Sequence, residues 1–333
     1  MADRIRKVNC DTGTVHAVAI TGRELPATAS LWGLAVSPEG TVYAADGDLH
    51  VVYKIFEDGR VNGTIAGKIG DNDDVVADGN NAVDGRIAAP APGANITPVS
   101  RLYSPWGICV DTSGNIYISD NLNNKIKRLS PSGRCQTLAG MGRTNSGDVV
   151  GDNGLLCKFD GPAGICVDKS GNVYVCDLLN NKIKKIYPSG KVVVVAGSGS
   201  GTGGFANGNG NNALFDNPSG ICVDPNGTLY VTDNSNRRIR RIDAAGNVIT
   251  LAGFSNGFVD GVGNAARFSS MYEICIDNSG VIWVLDYGNR AIRRVLNDGK
   301  VSTFMKWENG TINSASAIAV DKNGFLYILE KNV

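Results

Sequence analysis

One motif recurs along this chain and strongly limits the folds open to it. Residues 107–140 read GICVDTSGNIYISDNLNNKIKRLSPSGRCQTLAG, and related stretches occupy 33–67, 164–197, 220–253 and 274–305. Each copy contains short alternating segments separated by turns, and the aspartate and glycine of the DxxG turn favour a tight reversal. Four short antiparallel strands per repeat are typical of a β-propeller blade, and the strand-type alternation excludes a helical solenoid.

The two ends of the chain hold half-repeats that complement each other. Residues 317–333 begin with AIAVDKNGFLYILE, which matches the first two strands of a copy, and residues 4–22 match the last two. Pairing of these ends predicts a sixth blade that closes the ring and leaves no free sheet edge. We therefore predict an all-β, six-bladed β-propeller with four-stranded antiparallel blades, formed by a single domain over residues 1–333.

Two columns of the repeat support this number of blades. The turn glycine occurs as Gly40, Gly114, Gly171, Gly227, Gly280 and Gly324. An aromatic residue of the second strand occurs as Tyr43, Tyr117, Tyr174, Tyr230, Trp283 and Tyr327. The consensus PxGICVDxxGNIYVxDxxNxxIxxI resembles the NHL repeat family over almost the whole chain. This resemblance implies the propeller fold but is a weak guide to function, because one fold carries many unrelated activities.

Charge and composition bear on the partners of this chain. It has 32 basic and 32 acidic residues, so its net charge does not favour a nucleic-acid or membrane partner. No apolar run approaches the roughly 20 residues that span a bilayer, and the N-terminus lacks an apolar block of the signal-peptide type. We therefore expect no membrane insertion, and a location in the cytoplasm or within a virion.

The cysteines favour buried thiols over disulfides. One slot of the repeat holds cysteine in four copies and alanine in two: Cys109, Cys166, Cys222, Cys275, Ala35 and Ala319. A slot shared by cysteine and alanine accepts a small buried side chain. Reduced thiols fit a reducing compartment, while disulfides through Cys10, Cys135 and Cys157 stay open as the alternative.

Acidic and basic columns predict pairing within the blades. The second strand ends in an acid in every blade: Asp46, Asp120, Asp177, Asp233, Asp286 and Glu330. We predict that these acids pair with one column of third-strand bases: Lys7, Lys54, Arg128, Lys185, Arg241 and Arg294. Other third-strand bases, including Lys127, Lys184, Arg240 and Arg293, are expected to be solvated. A continuous basic face for RNA is the alternative, but zero net charge and the lack of interleaved aromatic residues disfavour it.

A metal-dependent hydrolase or lyase at the central channel is the enzymatic alternative. The resemblance to propeller lyases implies several histidine ligands, whereas this chain has only His16 and His50, both outside the first-strand motif. The resemblance to propeller lactonases implies calcium held by Glu, Asn and Asp at the channel mouth. We take the residues just before the first strands to be Trp32, Trp106, Ala163, Ser219, Glu273 and Ser316, and Glu273 is their single carboxylate.

Candidate binding residues lie where the repeat breaks. Trp32, Trp106, Tyr272 and Glu273 are expected at one rim of the ring, where the aromatic residues either form a binding patch for a partner or a sugar or are buried under loops. The longest loop, 68–104, carries four acids that are candidate calcium ligands: Asp71, Asp73, Asp74 and Asp78. Their spacing lacks the closing glutamate of a calcium loop, so a solvated acidic loop is the alternative. We expect no other cofactor.

These observations predict a non-enzymatic protein-interaction or structural propeller. The sequence shows no catalytic motif and no appended catalytic, RING or membrane segment, so we expect it to act alone or with protein partners in a larger assembly. An accessory or host-recognition component of a phage or virus particle is the specific form that we predict. The channel hydrolase or lyase and the RNA-binding propeller are the alternatives.

Overall fold

The repeats fold into six sheets arranged as the blades of a propeller. The computed structural model describes residues 4–18, 21–22, 25–26, 28–56, 60–67, 101–198, 201–307 and 314–330. Each blade has four main antiparallel strands, which we call A to D from the channel outwards. The predicted fold class is therefore confirmed.

The strands of blades 1 to 3 follow the repeat. Strands A to D of blade 1 are Leu31–Val36, Val42–Asp46, Val51–Ile55 and Arg60–Gly67. Those of blade 2 are Pro105–Val110, Ile116–Asp120, Lys125–Leu129 and Cys135–Ala139. Those of blade 3 are Pro162–Val167, Val173–Asp177, Lys182–Ile186 and Val192–Ala196.

The strands of blades 4 to 6 are arranged in the same way. Strands A to D of blade 4 are Pro218–Val223, Leu229–Asp233, Arg238–Ile242 and Asn247–Ala252. Those of blade 5 are Met271–Ile276, Ile282–Asp286, Ala291–Val295 and Lys300–Lys306. Those of blade 6 are Ala315–Val320, Phe325–Glu330, Arg4–Asn9 and Val15–Val18. Short fifth strands flank blades 1, 4 and 5 at Thr21–Gly22, Gly208–Asn209 and Gly261–Val262.

Single 3-10 turns complete the secondary structure of the described ranges. They are Asn121–Asn123, Arg143–Asn145, Gly154–Leu156, Leu178–Asn180, Gly210–Asn212, Gly263–Ala265 and Tyr287–Asn289. In the part of the chain that the structure describes, no helix has the length and apolarity needed to cross a membrane.

Blade 6 closes the ring by joining the two ends of the chain. Its strand C pairs with strand B over six residue pairs, from Arg4 with Glu330 to Asn9 with Phe325. Ile5 and Val8 from this strand are fully buried, each in a different apolar cluster. Because sheet pairing and apolar burial act together here, the N-terminal strands clasp the ring, as the half-repeats predicted.

The DxxG turn between strands A and B explains two columns of the repeat. In blade 2, Asp111 accepts hydrogen bonds from the backbone amides of Ser113 and Asn115, and Gly114 takes a φ of 80° that favours glycine. The second carboxylate oxygen of Asp111 accepts a hydrogen bond from the Tyr117 hydroxyl at 3.0 Å. The same contact to the turn acid occurs in blades 3, 5 and 6, whereas the Tyr230 hydroxyl of blade 4 donates to Asn297 instead.

The core consists of six apolar clusters, each shared by two neighbouring blades. The cysteine slot of strand A faces this interface, since Cys109 lies opposite Tyr117 and Cys222 opposite Tyr230. All eight cysteines are free thiols. Burial raises the pKa of the Cys166 and Cys222 thiols, which keeps them protonated and unreactive. The expectation of structural thiols is confirmed.

Neighbouring A strands lie very close around the channel. A Cβ atom on Gly33 would stand 2.0 Å from the Trp106 carbonyl oxygen, and one on Gly107 would stand 2.3 Å from that of Ala163. Glycine is required at this position because backbone, rather than a movable side chain, occupies the space. Blades 5 and 6 are the exceptions, because Glu273 and Ala317 occupy this column.

Candidate functional site

Buried acid–base pairs fasten the connections between blades to one end of the disc. In blade 4, the Arg240 guanidinium donates a hydrogen bond to Asp233 at 2.7 Å, and both side chains are fully buried. Arg240 also donates to the carbonyl oxygens of Leu214 and Ala206, at 2.9 and 2.6 Å, in the connection from blade 3. The pair therefore orders the loop that leads into its own blade.

Other blades repeat this arrangement with their own bases. Lys184 bonds Asp177 at 2.6 Å, and Arg293 bonds Asp286 at 2.9 Å. Glu330 accepts from Arg6 at 2.7 Å. Burial raises the pKa of Asp177, Asp233 and Asp286, while the nearby cation opposes that rise.

The predicted pairing used the wrong column of bases. The bases that reach the strand B acids are Arg6, Lys127, Lys184, Arg240 and Arg293, each one residue before the predicted partner. Side chains alternate along a strand, so adjacent residues face opposite sides of the sheet. Arg241 lies opposite Tyr230, and Lys185 lies opposite Tyr174.

Burial of these strand C bases also removes support from the RNA alternative. Lys127, Lys184, Arg240 and Arg293 were expected to be solvated, but all are buried. They are committed to carboxylates or loop carbonyls and do not contribute to an exposed basic face.

Glu273 is the only charged residue in the six A strands that wall the channel, all of which the structure describes. It does not share the column of Trp32, Trp106, Ala163, Ser219 and Ser316, as the sequence alignment assumed. Those residues are second in their strands, and their counterpart in blade 5 is Tyr272. Glu273 is third, in the glycine column and one residue further into the channel.

The surroundings of Glu273 disfavour its charge. Burial raises its pKa to about 8, and a hydrogen bond from the Ile274 amide opposes the rise only in part. Burial, and to a smaller extent the charge of Glu273, raises the pKa of the Cys176, Cys222 and Cys275 thiols. Near neutral pH, Glu273 is therefore largely a neutral acid in a desolvated environment.

The pH dependence of stability tests this assignment. The folded state holds the Glu273 proton more tightly than the unfolded state, with a pKa of about 8 against 4.5. Stability contributed by this group therefore falls as the pH rises between these values. We expect Glu273→Gln to match the wild type in Tm near pH 5 and to exceed it increasingly up to pH 8.5. A Tm difference that is constant with pH would contradict the assignment.

An aromatic cavity opens at the end of the channel where the A strands begin. Its walls are Trp32, Trp106, Tyr272, Tyr287 and Ser316, and its volume is about 210 Å³. We call these five residues the channel-mouth pocket. They come from blades 5, 6, 1 and 2, which are consecutive around the ring. The pocket therefore lies across the central axis and not between two outer strands.

The rings of the pocket form two edge-to-face pairs. Trp32 and Trp106 have ring centroids 5.4 Å apart at an interplanar angle of 65°, and Tyr272 and Tyr287 are 5.4 Å apart at 61°. Ser316 Oγ donates to the Leu31 carbonyl oxygen at 3.1 Å, which ties blade 6 to blade 1 at the wall. Trp32, Trp106 and Tyr272 are half-buried and Tyr287 is 41% exposed, so the rings line an open cavity.

The structure thus brings Trp32, Trp106 and Tyr272 together, as predicted, and adds Tyr287. Tyr287 follows the strand B acid of blade 5 directly, at a position held by Gly47, Asn121, Leu178 and Asn234 in other blades. Its aromatic side chain at an otherwise non-aromatic loop position is the sequence feature that marks it. The side chain of Asn289 holds this loop by donating to Asp286 at 2.8 Å and to the Gly257 carbonyl oxygen at 2.7 Å.

The metal alternatives have no assembled site in the described ranges. There, no cluster of three or more His, Cys, Asp or Glu residues is arranged to hold a metal ion. The candidate calcium ligands Asp71, Asp73, Asp74 and Asp78 lie outside the described residues, so that site stays a prediction. His50 accepts a hydrogen bond from the Ser104 amide through Nδ1 at 3.1 Å, which gives it a structural role.

Comparison with known proteins identifies the repeat. The family model for the NHL repeat matches residues 102–129, 159–186 and 215–242, in blades 2, 3 and 4. Three of the six blades of this propeller are therefore NHL repeats. It is 34% identical over 224 residues, 62% of its length, to SUPPRESSOR OF QUENCHING 1 of Arabidopsis thaliana. It is 32% identical over 170 residues, 49% of its length, to NHL repeat-containing protein 2 of Bos taurus.

Each of these relatives is much longer, since the match spans 21% of its length. A solved structure of a gluconolactonase from Xanthomonas campestris aligns with 99% of this chain and 95% of its own, with a TM-score of 0.61 and 14% identity. At that identity the likeness shows the fold alone.

The matched repeats and the pocket occupy largely different blades of this propeller. Trp32, Tyr272, Tyr287 and Ser316 belong to blades 1, 5 and 6, outside the three matched segments. Only Trp106 belongs to a matched segment. The channel-mouth pocket is thus built where the chain departs from its own repeat.

Proposed function

We propose that this propeller is a non-catalytic interaction module that holds a segment of a protein partner in the channel-mouth pocket. The observation that carries the proposal is the convergence of four aromatic side chains on one cavity at the ring axis. Other prominent columns have duties in the fold: most turn acids accept a hydrogen bond from the strand B aromatic residue, and strand B acids bind buried bases. The pocket residues are left for a ligand.

The chemistry of the pocket suits an anchor from a partner. Tyrosine and tryptophan combine large apolar area with few rotatable bonds, and such residues dominate binding energy when they line a partly exposed pocket. The surrounding connections are held by buried ion pairs, so the pocket is preorganised and little ordering is needed on binding.

We further propose that the partner belongs to a larger assembly, in which the propeller is an accessory or host-recognition component of a phage or virus particle. A rigid disc that offers one central pocket suits presentation on a particle surface. Mass spectrometry of purified particles tests this extension, with the chain expected at a fixed ratio to the other particle proteins. A chain found only outside particles would contradict it.

Replacement of pocket rings tests the interaction module itself. We expect wild-type protein to retain a partner from its native source, and the double variant Trp106→Leu, Tyr272→Leu to lose it. Leu156→Ser is the matched control, because Leu156 is 61% exposed on the blade 2–3 connection, outside the pocket. Retention of the partner by the pocket variant, or its loss from the control, would contradict the proposal.

A further inference from the structure

The channel-mouth pocket has aromatic walls, and an acidic residue follows one of them directly along the channel wall. Its lining contains four aromatic rings and the hydroxyls of Tyr272, Tyr287 and Ser316, and no basic side chain among the described residues. One residue deeper than Tyr272, the channel wall carries its single charge, Glu273. The five other A strands contribute only uncharged residues, so no cation of the wall neutralises this carboxylate.

Aromatic faces attract cations through the negative potential of the ring, and several rings around one group are the usual means of binding a methylated ammonium. Within each edge-to-face pair the two ring planes are inclined to each other, at 65° for the tryptophans and 61° for the tyrosines. The rings can therefore contact a compact cation from different sides. The methyl groups of a quaternary ammonium need no hydrogen-bond acceptors. That suits a wall made mainly of aromatic rings, in which the Ser316 hydroxyl already donates to the Leu31 carbonyl oxygen.

We propose that the channel-mouth pocket binds a quaternary ammonium group, with the rings of Trp32, Trp106, Tyr272 and Tyr287 around the cation and Glu273 as the counter-charge beneath it. This inference rests on the proposed function and names the chemistry of the group that enters the pocket. The group is carried either by a trimethylated lysine of a partner segment or by a free choline-like molecule.

Binding of a cation next to Glu273 favours the ionised carboxylate and therefore releases its proton. The titratable groups that the Glu273 charge influences are the thiols of Cys176, Cys222 and Cys275, whose pKa values burial raises. These thiols stay protonated up to pH 9, so Glu273 is the group that titrates. The affinity for the cation should then rise between pH 6.5 and pH 9.

Calorimetric titration with choline and with 3,3-dimethylbutan-1-ol, its uncharged isostere, separates charge from shape. We expect choline to bind at least about tenfold tighter than the alcohol. We expect Trp106→Leu to lose about tenfold in choline affinity, and Trp106→Phe, which keeps a ring, to lose only about threefold. Glu273→Gln should weaken choline binding and remove its pH dependence while leaving alcohol binding unchanged.

Two peptides distinguish the sources of the group. A short peptide with trimethyllysine is compared with the same peptide carrying unmodified lysine, and both are compared with choline. Tighter binding of the trimethyllysine peptide than of choline assigns the group to a partner segment, and the reverse assigns it to a small molecule. Both results support the inference.

Equal affinities for choline and the alcohol, or no binding of any quaternary ammonium probe, would overturn the inference. The proposed function would survive that result if the Trp106→Leu, Tyr272→Leu variant still lost its partner. The proposed function would be contradicted if that variant kept its partner, whatever the outcome with choline.

Discussion

Arg240→Met is expected to lower the free energy of unfolding by about 3–5 kcal/mol, because it leaves the Asp233 carboxylate buried without its cation. The guanidinium also donates to Ala206 and Leu214, so its loss leaves loop carbonyls without their donor. Urea denaturation followed by circular dichroism measures the effect. The comparison is Arg241→Met, which removes the neighbouring base that lies opposite Tyr230.

Arg241→Met should cost less than about 1 kcal/mol, since this half-exposed base has no buried acid to neutralise. The double variant Asp233→Asn, Arg240→Met should recover part of the loss, because it removes the uncompensated charge. Equal losses for the two arginine variants would contradict the assignment of the pairs. A larger loss for Arg241→Met would restore the pairing expected from sequence.

Deletion of residues 1–18 is expected to abolish the soluble monomer. The deletion removes strands C and D of blade 6 and leaves the edge of strand Phe325–Glu330 unpaired. It also removes Ile5 and Val8 from two interblade clusters, at about 1.5–3 kcal/mol each. Since folded proteins are stable by only about 5–15 kcal/mol, these losses together should open the ring. Size-exclusion chromatography and thermal melting measure the result.

A circular permutant is the control for this deletion. Arg4 lies opposite Glu330 in the sheet, so a short linker joins the original ends. The new chain ends are placed in the exposed turn Pro188–Gly190, between strands C and D of blade 3. That blade is then the one completed by both ends of the chain. We expect the permutant to remain a soluble monomer. A deletion variant that melts cooperatively as a monomer would show that the clasp is dispensable.

The repeat allowed the architecture to be predicted because its columns serve the fold. The DxxG turn requires glycine at a φ near 80°, as at Gly114, and the aromatic of strand B needs the turn acid, as Tyr117 needs Asp111. The glycine requirement recurs in every blade and the contact with the turn acid in four of the six, so both are visible in one sequence. The clasp was predictable for the same reason, since the half-repeats complement each other.

The side-chain pairing was less predictable because it depends on which face of the sheet each strand C residue points to. Arg240 and Arg241 are adjacent and point to opposite faces of the sheet. Arg240 lies on the face from which it reaches Asp233. The column of Glu273 was misassigned for a similar reason. Tyr272 occupies the pocket column, and Glu273, one residue later, occupies the column that holds glycine in blades 1 to 4. The close packing of adjacent A strands distinguishes these two columns, and the sequence does not show it.

The pocket was only partly predictable because it breaks the repeat. Trp32 and Trp106 share a column, so the sequence places them at the same rim. Tyr287 reaches the cavity from the B–C loop of blade 5, and no column of the repeat brings it beside Tyr272. Proximity of this kind arises from the closed ring, which juxtaposes blades distant in sequence.

The indole NMR signals of the tryptophans test the central claim, that binding occurs in the channel-mouth pocket. The chain has four tryptophans: Trp32 and Trp106 line the pocket, whereas Trp283 and Trp307 are buried near blades 5 and 6. In ¹⁵N-labelled protein titrated with choline, we expect the indole signals of Trp32 and Trp106 to shift with one common dissociation constant. Those of Trp283 and Trp307 should remain in place. Shifts confined to Trp283 and Trp307, or no shift at saturating choline, would contradict the account.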